Sequence, residues 1–185
     1  MRLKEKYQKE IVPQLKKDFG WTNMMLVPRL EKVVLNVGFG HHAKEKEYME
    51  IVGRGLAKIS GQKAVFTLAK KSVSAFKIRE GMTIGAKVTL RGDRMYDFVE
   101  KLVNITFPRV RDFRGISEKM MDRAGNLTVG FKDQAAFPEI KVEDTDTPFG
   151  LEVCLATTAK TKEEGLALFK ALGFPFKKET KKDSK

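Results

Sequence analysis

Few side chains in this 185-residue sequence are of types that carry covalent chemistry. Ser74-Ala75-Phe76-Lys77 has the S-x-x-K spacing in which a lysine amine can take a serine proton for acyl transfer. The S-D-N and K-T-G segments that complete such sites are absent from the sequence. A basic loop of small residues is the plainer reading of those four positions. The two histidines, His41 and His42, are adjacent, and neighbouring side chains diverge in most backbones. Cys154 is the one cysteine and lies far away in sequence, so no metal-ligand spacing results. A lone cysteine also excludes a disulfide framework. Neither G-x-x-x-x-G-K-[ST] nor G-x-G-x-x-G occurs, so a phosphate-cradling loop lacks its motif. Val37-Gly38-Phe39-Gly40 shares letters with the core of the RNA-recognition motif. His41-His42-Ala43 follow where aromatic and apolar residues belong, which rejects that match. The expectation is no enzyme, no cofactor and no metal.

What remains is electrostatic chemistry. Lys and Arg number 36 against 24 Asp and Glu, a net charge of +12. The charge is unevenly spread. Residues 63–94 hold eight basic groups (Lys63, Lys70, Lys71, Lys77, Arg79, Lys87, Arg91, Arg94) and two acids, half of the net charge. Residues 139–152 hold five acids and one lysine. A molecule polarised in this way steers a polyanion to one side. The basic residues of 1–17 are helically spaced and read equally well as a solvated face. No apolar run is long enough to span a membrane, and MRLKEKYQKE lacks the apolar stretch of a secretory signal. These points fit a cytoplasmic protein with a nucleic-acid partner.

The elements that must position such charges are legible from periodicity. Leu3, Tyr7, Ile11 and Leu15 predict a helix over 2–19, with a kink or a restart at Pro13. Val33, Leu35 and Val37 alternate with Lys32, Val34 and Asn36 and predict a strand over 31–37, followed by a glycine turn, Gly38-Phe39-Gly40. A helix over 43–60, stopped by Gly61, and a short strand over 64–68 follow. Residues 69–85 have no clean period and read as a long exposed loop. Ala86, Val88 and Leu90 alternate with Lys87, Thr89 and Arg91, giving a strand over 86–91. Asp93 is placed to cap a helix running to Asn104. The stretch from Phe107 to Gly115 reads as irregular and basic. Strands are expected over 127–132 and 151–158. Thr161-Lys162-Glu163-Glu164 is a capping box in which the Glu164 carboxylate reaches back to Thr161, and Gly173 and Pro175 end the last helix. The fold class expected is α+β: one antiparallel or mixed sheet, helices on one face, the other face open and polar, and a long loop between two strands. Residues 1–178 form one domain in this reading, and 179–185 a disordered basic tail.

The outward faces sharpen the charge argument. Lys32 and Asn36 on one strand, and Lys87, Thr89 and Arg91 on another, point away from the apolar side. If the strands share a sheet, they make a cationic platform with amide and hydroxyl groups between the charges. Lysine and arginine suit phosphates; Asn36, Gln62 and Thr89 suit ribose hydroxyls and base edges. Aromatic residues are scarce there, so shape and backbone recognition of folded RNA fits better than base stacking. A surface engaging about 6–10 phosphates loses roughly 10³–10⁵ in affinity between 50 and 200 mM salt.

Four long motifs then become specific: VPRLEKVVLNVG (27–38), SGQKAVFTLAKKSVSAFKIREGMTIGAKVTLRGDRMYDF (60–98), FPRVRDFRGIS (107–117) and LGFPFKK (172–178). In this order they resemble bacterial ribosomal protein five of the large subunit, the universal 5S rRNA-binding family, over residues 2–178. The resemblance implies a structural ribosomal protein of the central protuberance. Its partners would be 5S rRNA, large-subunit rRNA, peptidyl-site tRNA and neighbouring ribosomal proteins, including one of the small-subunit head. It implies 5S rRNA on the polar sheet face, at the positions matching Asn36, Gln62 and Thr89. Lys32, Lys63, Lys87 and Arg91 join them as phosphate contacts. It implies that the loop over 72–85, with Ser72, Ser74, Lys77, Arg79 and a bend at Gly81 and Gly85, reaches peptidyl-site tRNA. Arg109, Arg111 and Arg114 would lie at an intersubunit bridge. Ala64 and Thr83 stand where the family commonly has proline. The competing readings are a free-standing RNA chaperone or regulator on the same surface, and a hydrolase using Ser74 and Lys77.

Overall fold

Alternation builds the sheet. β1 (Leu30–Gly38) buries Val33, Leu35 and Val37 and leaves Lys32, Val34 and Asn36 half-exposed. In the computed structural model, which describes residues 2–42, 44–140 and 147–177, β1 is the centre of five strands. The others are β2 (Val65–Leu68), β3 (Thr83–Leu90), β4 (Leu127–Phe131) and β5 (Leu151–Thr157), in the order β2-β3-β1-β5-β4. Every neighbouring pair is antiparallel. Parallel pairing occurs outside the strands, at the isolated Ile116–Phe176 bridge. The expected α+β architecture is borne out. Residues 141–146 of the acidic stretch and the lysine tail over 179–185 lie outside the described residues.

One face is apolar on every long strand: Val33, Leu35, Val37, Ala86, Val88, Leu90, Val129, Phe131, Val153 and Leu155 are all buried. Burying one such side chain is worth roughly 1.5–3 kcal/mol, so this face fixes the register of the long strands. Helices cover it. α3 (Lys46–Ser60) packs on β3 through Val52, Leu56 and Ile59. α4 (Gly92–Lys101) crosses β1 and carries α1 (Leu3–Lys6). α6 (Lys162–Ala171) buries Leu168 and Phe169, the latter edge-on to Phe174 at 5.1 Å. At Gly55 the α3 backbone meets the Phe149 ring, and a Cβ there would lie 2.6 Å from the ring's Cζ.

Both proline-containing helices accommodate the ring in the same way. The kink or restart expected at Pro13 takes the form of a widened turn just ahead of the ring. α1 passes through a π-turn, Tyr7–Ile11, into α2 (Val12–Asp18), and the Val12 amide bonds to the Tyr7 carbonyl five residues back. α4 likewise runs past Asn104 through a π-turn, Leu102–Thr106, into α5 (Phe107–Arg109), with the Phe107 amide on the Leu102 carbonyl. A proline ring collides with the carbonyl four residues before it; the wider turn just ahead of Pro13 and Pro108 moves that carbonyl aside. The basic stretch from Phe107 therefore starts as helix. Asp93 is not a cap. The N-cap is Arg91, without a side-chain bond, and Asp93 sits inside the first turn, where its carboxylate suits the helix dipole and pairs with Lys4. The last helix keeps half of its capping box. Thr161 Oγ1 accepts from the Glu164 amide at 3.3 Å, but the Glu164 carboxylate takes the Lys160 amide at 2.8 Å rather than that of Thr161.

Candidate nucleic-acid interface

The sheet's other face carries no helix among the described residues. Cross-strand partners define its rows. Asn36 lies between Lys87 of β3 and Glu152 of β5, and Val65 of β2 flanks Lys87. Val34 lies between Thr89 and Cys154, and Thr128 of β4 continues that row. Lys32 faces Ala156. The side chains between the lysines are short, so a sugar–phosphate backbone can approach the amide and hydroxyl groups closely.

Gln62 joins this surface from the turn after α3. Its Nε2 donates to the Thr89 carbonyl at 3.2 Å, which spends one of its two protons and leaves the other and Oε1 for a ligand. Asn36, Gln62 and Thr89 are all half-exposed, neither sealed in the core nor scattered. Lys63 and Lys87 are exposed. Arg91 is exposed and lies 3.6 Å from the Glu31 carboxylate, a solvated pair weak enough for a phosphate to displace.

The face differs from the cationic platform expected from β1 and β3. β5 adds Glu152 beside Asn36, and the neighbouring rows are small and neutral. A carboxylate there repels phosphate and accepts from a base amino group or a ribose hydroxyl. Glu152, Cys154 and Thr128 are face residues that the sequence reading passed over. Their signal was present: each stands between two buried apolar residues.

The segment over 69–85 is exposed, as expected, yet it is not structureless. It is a closed hairpin. The Ala69 amide bonds to the Met82 carbonyl at 2.8 Å, Val73 and Ile78 exchange both backbone bonds, and Ser72 Oγ accepts from the Glu80 amide at 2.9 Å. A 3₁₀ turn, Ser74–Phe76, forms its tip, and Lys77 follows in the left-handed region at φ 54°. Lys77, Arg79 and Phe76 project into solvent. Gly81 turns the chain at φ 82°. Gly85 does not bend the loop. It lies inside β3, where a Cβ would stand 2.8 Å from Thr67 Oγ1 and 2.9 Å from the Val37 carbonyl oxygen, so glycine is needed for close strand approach. β3 accordingly begins at Thr83, earlier than alternation alone suggested.

Arg109, Arg111 and Arg114 are exposed at the end of α5 and beyond it, on a segment whose far end is tied down by the Ile116 amide on the Pro175 carbonyl at 2.8 Å. None of the three has an ion-pair partner among the described residues. His42 stacks on Tyr48 with ring centroids 4.4 Å apart, and its Nδ1 faces the Glu45 carboxylate. Among the described residues no three His, Cys, Asp or Glu side chains converge to hold a metal ion, and no helix is long and apolar enough to cross a membrane.

Comparison with known proteins agrees with the motif resemblance. The family described as ribosomal protein L5 matches residues 23–79, which span β1, α3, β2 and the hairpin tip. The C-terminal part of the same ribosomal family matches residues 83–176, from β3 to the segment after α6. The chain is 52% identical over 174 residues to the large ribosomal subunit protein uL5 of Halothermothrix orenii, covering 94% of this chain and 97% of that one. The uL5 of Symbiobacterium thermophilum gives the same figures. That of Streptococcus pyogenes is 51% identical over 177 residues, with 96% and 98% coverage. Half of the residues are thus shared along nearly the whole length, and the chain belongs to the ribosomal protein L5 family, a family of ribosomal structural proteins and not of enzymes.

Proposed function

We propose that this chain is a constituent of the large ribosomal subunit that docks 5S rRNA on its open sheet face. The observation that carries the reading is the convergence of Asn36, Gln62 and Thr89 on one half-exposed surface bordered by Lys32, Lys63, Lys87 and Arg91. Short neutral side chains between the cations favour ribose and base-edge contacts over stacking. Large-subunit rRNA is the second polyanion in this reading. The hairpin over 72–85, with Lys77 and Arg79 in solvent, is the element that reaches peptidyl-site tRNA. The exposed Arg109, Arg111 and Arg114 face a protein of the small-subunit head and contribute to an intersubunit bridge.

The test is 5S rRNA affinity in a filter-binding assay. Asn36→Ala combined with Thr89→Ala removes two contacts worth about 1–1.5 kcal/mol each, a loss of roughly 30- to 150-fold, with an unchanged melting temperature. Wild-type affinity in the folded double variant would remove 5S rRNA from this face.

A further inference from the structure

The Gln62 turn is held from behind. α3 ends in Ser60, and its last carbonyls need partners. The Gly61 amide, at φ 67°, bonds to the Ala57 carbonyl at 2.9 Å. Ser60 Oγ lies 2.6 Å from the Leu56 carbonyl oxygen and 3.0 Å from that of Gln62, and accepts from the Gln62 amide at 3.2 Å. The Ile59 carbonyl is met from another element: Lys101 of α4 donates to it at 2.7 Å. The same ammonium lies 2.5 Å from Glu139 Oε1 and 5.2 Å from the Phe98 ring centroid. Its side chain is 19% exposed. Glu139 Oε2 is buried with no hydrogen-bond partner among the described residues.

Capping a helix end needs nothing so elaborate; a solvated lysine or water suffices. A part-buried ion pair costs desolvation, and its best-attested return is geometric specificity. Here the pair stands at the wall of a cleft of about 400 Å³ lined by Ser60, Gly61, Arg94, Phe98, Lys101 and Glu139. Contacts run unbroken from Glu139 through Lys101, Ile59 and Ser60 to Gln62 and the Thr89 carbonyl. We propose that Lys101, clamped by Glu139, is a positioning residue that sets the Gln62 amide for RNA on the open face without touching RNA itself. The proposal rests on the 5S rRNA reading above.

A double-mutant cycle on the full chain with a 5S rRNA transcript tests it. Lys101→Met weakens binding about tenfold, because coupling between residues of one hydrogen-bond network is of that order. The salt dependence of binding stays the same, since no phosphate contact is lost. In a Gln62→Ala background the same substitution changes affinity less than twofold. Lys101→Arg, which keeps the charge and a donor, restores most of the loss. If Lys101→Met does not fold, Glu139→Gln, which keeps the side-chain shape, supplies the same comparison. Equal losses with and without Gln62 overturn the proposal, as does wild-type affinity in Lys101→Met while Gln62→Ala is impaired. Wild-type affinity in Gln62→Ala overturns both this proposal and the docking reading beneath it.

Discussion

Tyr7 ties the first helical run to the sheet: its hydroxyl donates to the Pro28 carbonyl at 3.0 Å, two residues before β1 begins. Burial, reinforced by the neighbouring Tyr96 and opposed by Arg29, pushes this phenol up to about 12. The folded chain therefore favours the neutral form, whereas the unfolded chain ionises near 10. The resulting stability is complete below pH 10 and is lost as pH rises from 10 towards 12. Tyr7→Phe should cost about 1 kcal/mol at pH 7 through the lost hydrogen bond. It should also flatten the alkaline decline, with a remainder from Tyr96, which burial likewise raises. Urea unfolding at pH 7, 10 and 11 measures both effects; an equally steep decline in the variant would assign the titration elsewhere. Single residues differed in how far the sequence revealed them. Asn36 and Thr89 follow from alternation within one strand each. Glu152 alternates just as clearly, but its place beside Asn36 depends on β5 lying next to β1, which no local pattern encodes. The Lys101–Glu139 pair joins residues 38 apart in sequence and was beyond any periodicity.

At the scale of elements, strands and the stop of α3 were legible because burial dictates a period of two or of 3.6, and a left-handed Gly61 ends the helix. The π-turns were not legible. Proline's local veto predicts a disturbance without its form; Tyr7, Ile11, Leu15, Leu102 and Phe107 are buried, and their burial favours a continuous helical path with a widened turn. The hairpin was missed for the opposite reason. Its exposed side chains have no period, while backbone bonds and Ser72 close it. Closure matters for function, since an ordered hairpin presents Lys77 and Arg79 without first losing chain entropy on binding. Lys77→Ala combined with Arg79→Ala should leave 5S rRNA affinity within about twofold and loosen peptidyl-site tRNA on reconstituted ribosomes by about tenfold, two weakened charge-assisted contacts. Equal loss of both would show that sheet and hairpin act as one surface.

Across the whole molecule the question is how many cations one RNA engages. Half of the net charge of +12 falls within residues 63–94, but Arg94 lies on α4 at the cleft beside Lys101, and the fold divides the other basic residues between two places. Lys63, Lys87 and Arg91 lie with Lys32 around the open face, whereas Lys70, Lys71, Lys77 and Arg79 belong to the hairpin. Each phosphate contact releases counterions and contributes about −0.9 to the slope of log affinity against log salt. Four cations of the face acting alone give a slope near −4, roughly a 150-fold loss between 50 and 200 mM salt. Face and hairpin acting together give about −7, a loss of roughly 10⁴. The larger loss expected from the charge run alone therefore holds if the same RNA covers both. Filter binding of 5S rRNA over that salt range separates the cases. The division of labour requires a slope near −4 that falls by about one unit in Lys32→Ala and again in Lys87→Ala, and stays unchanged in Lys77→Ala. A steep slope that Lys77→Ala reduces would mean that 5S rRNA wraps the hairpin as well, leaving no free cations there for tRNA.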